Sequence, residues 1–210
     1  MKLLFWPLLL CCLLSACDLA SGDQHINQGA DFYAERNFEA ARIELRKALD
    51  KPLNMYEDKM LFTLLGNVYN ELEKFDSSIV YHQMALDIDP DYLDALVNMG
   101  IVYRLLGEFD EAETYYVRAQ AINPDDPQLN ASLGALYVHT GDLEGALRHL
   151  EHAIELDPEF DISHANYAVA LAMTGDFDKA NSELNRAIAL GYHNGPLVQQ
   201  RIDELKASAE

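Results

Sequence analysis

The chain has 210 residues, half of them hydrophobic, so it has room for one domain but not for a repeat array beside a separate catalytic domain. Its 35 acidic residues outnumber its 15 lysines and arginines, which makes the net charge −20. This balance excludes nucleic acid as a partner, because affinity for phosphate rests on basic side chains. It predicts a well-solvated surface.

The first 16 residues have the pattern of a secretory signal peptide. Lys2 precedes an apolar run over residues 3–14, shorter than the roughly 20 apolar residues that a membrane-spanning helix needs. All three cysteines of the chain, Cys11, Cys12 and Cys17, lie at this end. The rest of the chain therefore has no disulfide framework and no thiolate metal site.

The segment over residues 14–17, Leu-Ser-Ala-Cys, resembles the lipobox of bacterial lipoproteins. That resemblance implies cleavage before Cys17, a diacylglycerol on its thiol and an acyl chain on its amine. The alternative is an ordinary secretory signal with an incidental cysteine. Residues 17–23 would be the lipidated cysteine and a short tether, and Asp18 matches the residue that retains enteric lipoproteins in the inner membrane. We therefore expect a lipid-anchored protein on the periplasmic side, with the inner membrane favoured.

A repeat of 34 residues runs through most of the remaining chain. Small residues recur at this step at two positions and proline at a third: Gly66, Gly100, Gly134 and Ala168; Ala85, Ala119, Ala153 and Ala187; Pro90, Pro124 and Pro158. An earlier copy, with Gly29 and Ala48, is offset by 37. A period of this length indicates a stacked array in which each unit contacts mainly its neighbours.

Each unit predicts two helices joined by a tight turn. Residues 93–126 show the pattern: Leu96 and Tyr103 lie on one face of a first helix, and Gly107 ends it. Tyr116 lies on the inner face of a second helix, which Pro124 terminates.

The period, small residues, aromatic residues and prolines resemble the tetratricopeptide repeat family over residues 22–192. The resemblance implies an all-α fold, a right-handed solenoid with a concave groove. It divides the array (residues 24–192) into five repeats at about 22–55, 59–92, 93–126, 127–160 and 161–194. Residues 195–210 predict a capping helix and tail, with an apolar stripe of Leu197, Val198, Ile202 and Leu205.

The first two units depart from the family pattern. Arg36 and Glu73 stand where the later units have a turn glycine, and Ser78 replaces a packing alanine. Three extra residues fall in the spacer Pro52–Glu57. We expect a looser junction between these two units.

Groove positions follow from the resemblance, at three before, one after and four after each small residue. In the last three units, eight of these nine residues are apolar: Val97, Ile101, Arg104, Ala131, Ala135, Val138, Ala165, Val169 and Ala172. An exposed apolar strip indicates a partner surface, most simply for an amphipathic helix. Alternatively, the alanines are only helix formers and the strip is shallow. Asn98 and Asn166 match family asparagines that bind an extended peptide backbone, and Asn67 is nearby.

Other kinds of site have weak signals. The positions of the family's carboxylate clamp hold Thr63, Gln128 and Ser132 rather than basic residues. His149, His152 and Glu155 could share a helix face, but surface histidines without cysteine partners are usually unligated, so we expect no metal and no cofactor. No Ser-His-Asp order, phosphate loop or H-E-x-x-H motif indicates an enzyme.

The expected function is a membrane-anchored periplasmic scaffold that binds a helical or extended segment of another envelope protein. Similar chains include pilus-assembly lipoproteins of the tight-adherence TadD group and NlpI-like envelope adaptors. Assembly of an envelope, pilus or secretion complex is the expected setting. Two alternatives remain: a self-associating structural protein whose groove takes a second copy, and an enzyme with an unrecognised site.

Overall fold

The computed structural model describes residues 21–209, in which every regular element is an α-helix. The predicted signal peptide, Cys17 and Asp18 lie outside these residues. Within residues 21–209, no helix combines the length and apolar character needed to cross a bilayer. The helices are α1 (Gly22–Ala34), α2 (Phe38–Ala48), α3 (Asp58–Glu71), α4 (Phe75–Ile88), α5 (Leu93–Leu106), α6 (Phe109–Ile122), α7 (Pro127–Thr140), α8 (Leu143–Leu156), α9 (Asp161–Met173), α10 (Phe177–Leu190) and α11 (Gly195–Ala209).

The first ten helices form five hairpins that stack in chain order. The pairs are α1–α2, α3–α4, α5–α6, α7–α8 and α9–α10, and the second helix of each pair packs on the first helix of the next. The first helices of successive pairs also contact one another, so they line one side of the stack. The prediction of an all-α, right-handed solenoid of about five repeats plus a capping helix is confirmed.

Each hairpin is built around a small residue on its first helix. A large side chain sixteen residues later, on the second helix, packs directly against that helix backbone. A β-carbon at any of the four glycines in this position would overlap the neighbouring side chain. The glycine pairs are Gly29–Leu45, Gly66–His82, Gly100–Tyr116 and Gly134–Leu150. Close packing of this kind leaves little room for substitution.

The turn inside each hairpin requires a left-handed residue. Gly107, Gly141 and Gly175 have φ of 79°, 87° and 89°. Arg36 and Glu73 occupy the same position in the first two hairpins, with φ of 59° and 56°. These two side chains therefore hold a conformation that glycine adopts at lower cost.

Helix α1 begins earlier than the sequence suggested. The Ser21 side chain caps it by accepting a hydrogen bond from the backbone N–H of Gln24. Gly22 and Asp23, which were predicted to belong to the tether, are buried residues of its first turn. A serine cap satisfies an amide that the helix itself leaves without a partner.

The spacer between the first two hairpins is held by one carboxylate. Asp23 accepts hydrogen bonds from the backbone N–H groups of Asn54, Met55 and Tyr56, at 3.0 to 3.3 Å. Burial opposes ionisation of this carboxyl, but the three amides outweigh it and hold the pKa of Asp23 below its usual value. The extra residues of the spacer are therefore tied to α1. Of the contacts between successive first helices, the one between α1 and α3 is the smallest, in the direction of the looser stacking that we expected at this junction.

The interior of the second hairpin is unusually polar. His82 is fully buried at the position taken by Leu45, Tyr116 and Leu150 in other hairpins, and neither ring nitrogen has a hydrogen-bond partner within the described residues. Burial lowers the pKa of His82 to about 4. The nearby Ser78 hydroxyl donates to the carbonyl of Gly66 at 2.8 Å, which satisfies the residue that replaces alanine.

Helix α11 closes the C-terminal end by packing on α9 and α10. Val198 and Ile202 are buried and Leu205 is partly buried in that contact, as predicted. Leu197 was wrongly included in this apolar stripe: it is 68% exposed. Consecutive residues of an α-helix point about 100° apart, because the helix has 3.6 residues per turn. Leu197 therefore cannot face the array together with Val198.

Glu73→Gly should stabilise the protein. Glycine adopts the left-handed conformation without the strain that a side chain causes there, so the free energy of unfolding should rise by about 1 kcal/mol, measured by urea denaturation. The matched control is Gly107→Ala, which introduces the same strain in the third hairpin and should lower the free energy by a similar amount. A loss of stability in Glu73→Gly would mean that its side chain contributes more than the strain costs.

His82 should make the fold acid-sensitive. Its pKa falls from 6.5 to about 4 on burial, so its contribution is complete above pH 6.5 and is lost as the pH falls toward 4. Between pH 7 and pH 5 this loss is on the order of 2 kcal/mol. His82→Leu should remove this acid-dependent loss. The free energy of unfolding of the variant, minus that of the parent, should therefore increase between pH 7 and pH 5. An unchanged difference at the two pH values would contradict this.

Candidate functional site: the concave groove

The first helices enclose a cavity of about 380 Å³ on the concave side. Its walls come from α1, α3, α5, α7 and α9, because these helices lie side by side in the stack. Seven of the ten predicted groove residues line it: Asn67, Asn98, Ile101, Arg104, Ala131, Ala135 and Asn166.

A second cavity, of about 470 Å³, continues the first toward the C-terminal cap. Val138 and Val169, also predicted, lie here with His139, Met173 and Arg201 of α11. Arg104, Ala135 and Asn166 line both cavities, so the two form one continuous groove. The capping helix thus contributes to the groove as well as covering the end of the array.

The prediction of an exposed apolar strip is wrong for five of its nine residues. Neighbouring first helices approach closely enough to cover most of the surface of these side chains, and Val97 is part of the core at 1% exposed. Ala131 and Ala135 still contribute small surfaces to the cavity walls. The five buried residues are Val97, Ala131, Ala135, Ala165 and Ala172. Ile101, Arg104, Val138 and Val169 are half-buried and reach the groove.

Amide side chains dominate the polar lining of the first cavity. Asn67, Asn98 and Asn166 were predicted from the sequence, and Asn70 and Gln128 join them. Gln128 Nε2 donates to Asn98 Oδ1 at 3.2 Å, and Asn70 Oδ1 is enclosed without a hydrogen-bond partner in residues 21–209. Because an amide both donates and accepts, this lining matches the alternating groups of a peptide backbone.

Arg104 is central in the groove rather than at its edge. Its Nε atom is enclosed, and its Nη1 atom lies 3.4 Å from Nε2 of His139. Burial, and then the positive charge of Arg104, lowers the pKa of His139. At the N-terminal end of the first cavity, Glu71 lies 3.9 Å from Arg36. The middle of the groove is therefore locally cationic in a strongly acidic protein.

Comparison with protein-family profiles assigns the chain to a family. The tetratricopeptide repeat profile matches residues 59–125, 91–159 and 137–201, more than half of the chain. The protein belongs to the tetratricopeptide repeat (TPR) family. Membership indicates a scaffold for protein–protein interaction. The comparison with curated proteins found no match.

Solved TPR structures share the fold at low sequence identity. TTC0263, a thermophilic TPR protein of Thermus thermophilus, has 17% identity and a TM-score of 0.74, with 88% of this chain and 98% of that chain covered. A TPR protein of Parabacteroides merdae has 20% identity and a TM-score of 0.58 over 88% and 72%. The APC/C hetero-tetramer Cut9–Hcn1 has 18% identity and a TM-score of 0.78 over 90%, but this chain spans 37% of the matched chain. These similarities show the fold alone.

The histidines considered for metal binding have separate partners in the TPR array. His149 Nδ1 lies 2.9 Å from Asn130 Oδ1. His152 pairs with Asp125 at 3.0 Å and with Glu155 at 3.7 Å. Across residues 21–209, no group of three or more His, Cys, Asp or Glu side chains is placed to hold a metal ion.

Two substitutions of neighbouring apolar residues should behave differently. Val97→Glu buries a carboxylate in the core and should lower the free energy of unfolding by several kcal/mol. Ile101→Glu places its charge in the open groove and should leave the fold close to its original stability. Urea denaturation followed by circular dichroism measures both. Equal losses would put Ile101 in the core and remove it from the groove.

Proposed function

We propose that this TPR protein is a lipid-anchored adaptor on the periplasmic side of a bacterial membrane. Its groove binds an extended segment of another envelope protein during assembly of an envelope, pilus or secretion complex. The observation that carries the binding role is the amide-lined cavity formed by successive first helices.

The polar lining favours an extended segment over an amphipathic helix. A helix satisfies its own backbone hydrogen bonds and would need an apolar strip, but most of that strip is buried. An extended segment presents free backbone N–H and C=O groups, which Asn98, Gln128 and Asn166 are able to match. Ile101 and Val138 supply apolar contacts for its side chains.

The anchor is supported by the sequence around Cys17. A short apolar run followed by Leu14, Ser15, Ala16 and Cys17 resembles the signal peptide and lipobox of bacterial lipoproteins. Two or more acyl chains hold a protein stably at a bilayer, whereas one chain holds it only marginally. Asp18 favours the inner membrane.

Mass spectrometry of the membrane fraction tests the anchor. The mature chain should begin at Cys17 and carry acyl chains, and Cys17→Ser should abolish acylation and release the protein from membranes. An unmodified Cys17 in the native protein would overturn the anchor while leaving the groove untouched.

Site-specific photocrosslinking in intact cells tests the groove. A photoreactive amino acid at Ile101 should yield a defined adduct with an envelope protein. The same group at Val117, 56% exposed on α6, is the control and should not yield that adduct. Asn166→Leu keeps the side-chain size but removes its hydrogen-bonding groups, so it should reduce the adduct. An adduct that is equal from both positions, or unchanged by Asn166→Leu, would place binding elsewhere.

A further inference from the structure

The spacer Pro52–Glu57 presents an exposed methionine on a fixed loop. Met55 is 79% exposed, more than any other large hydrophobic side chain in residues 21–209. The loop carrying it is held by the three amides that donate to Asp23, and the Tyr56 hydroxyl donates to Asn27 Oδ1 at 2.5 Å. A rigid loop that displays an apolar side chain loses little conformational entropy when that side chain is buried by a partner.

The position of the loop in the chain indicates what that partner is. The backbone N–H of Met55 bonds to Asp23, which lies two residues after the cap of α1 at Ser21. Ser21 comes four residues after Cys17, and four extended residues span at most about 14 Å. With Cys17 acylated, the cap of α1 and the spacer bound to its first turn stay close to the bilayer surface.

The distribution of charge along the array also favours its N-terminal end for contact with a lipid surface. Residues 18–74 contain seven basic and eleven acidic side chains, whereas residues 75–210 contain seven basic and 24 acidic ones, so the N-terminal end is the less acidic one. The loop between the first two hairpins, residues 49–57, contains Asp50 and Glu57 but also Lys51, while the later loops between hairpins, residues 89–92, 123–126 and 157–160, contain acidic residues and no lysine or arginine. An anionic bilayer would repel those loops and tolerate the first one.

We propose that the spacer is a second membrane contact, in which Met55 enters the headgroup region of a phospholipid bilayer beside the acylated Cys17. This inference rests on the lipid anchor of the proposed function. Two contacts at the same end of the solenoid orient it, so that the acidic repeats and the groove extend away from the bilayer rather than swivel on one tether.

Tryptophan fluorescence tests the contact in the acylated, full-length mature protein, reconstituted in vesicles of phosphatidylethanolamine and phosphatidylglycerol. The single tryptophan of the chain, Trp6, leaves with the predicted signal peptide, so an introduced tryptophan reports alone. Met55→Trp should show blue-shifted emission and lose most of its intensity when the lipids carry brominated acyl chains. Val117→Trp is the matched control: it is an exposed apolar side chain on α6 and should remain unquenched.

Each outcome of this experiment is decisive. Quenching of Met55→Trp alone supports the second contact. An unquenched Met55→Trp in acylated, vesicle-bound protein overturns it and leaves the anchor standing. Quenching at both positions shows an array lying flat on the membrane, which also overturns the proposed orientation. Native protein that carries no acyl chains overturns the anchor, and this inference with it. Circular dichroism verifies that both variants fold.

Discussion

The close approach of two helices at one small residue is the contact on which the rest of this structure depends. At Gly100 the ring of Tyr116 lies against the helix backbone, and the equivalent glycine pair recurs in each of the first four hairpins. Because the large side chain is used inside the hairpin, the outer faces of the pair remain for stacking. A repeat of that stacking every 34 residues aligns the first helices, and their alignment creates the groove. The groove is thus a consequence of packing within each hairpin.

Local features of the sequence predicted most of this fold. The period, the turn positions and even the strained residues Arg36 and Glu73 follow from short-range patterns, and nine of the ten predicted groove residues line the two cavities. Exposure was not predictable in the same way. Whether Val97 reaches solvent depends on the distance between neighbouring first helices, which a periodic pattern does not encode. The burial of His82 could have been predicted from the repeat, since His82 lies 34 residues before Tyr116, at the same position of its unit.

On the proposed function, the polar lining would make the groove selective through hydrogen-bond complementarity rather than through apolar burial. An amide that loses its partner in an enclosed site costs free energy, so a segment that fails to match Asn98, Gln128 and Asn166 would be rejected. The cationic centre at Arg104 would favour an acidic group of the segment at short range, whereas the rest of the acidic protein repels acidic partners at long range. On the proposed anchor, confinement to a membrane surface would raise the local concentration of an envelope partner and compensate for modest intrinsic affinity.

Irregularities of the array are concentrated in its first two hairpins, at the end nearest the proposed anchor. Strained turns at Arg36 and Glu73 and the buried His82 all reduce stability there, whereas the later hairpins follow the regular pattern. The three-residue insertion would add disorder if it were free, but Asp23 converts it into a fixed loop with three charge-assisted hydrogen bonds. The pairing of a rigid support with an apolar tip is what a contact surface needs, and on the proposed anchor the short chain segment to Cys17 would direct that tip toward the bilayer.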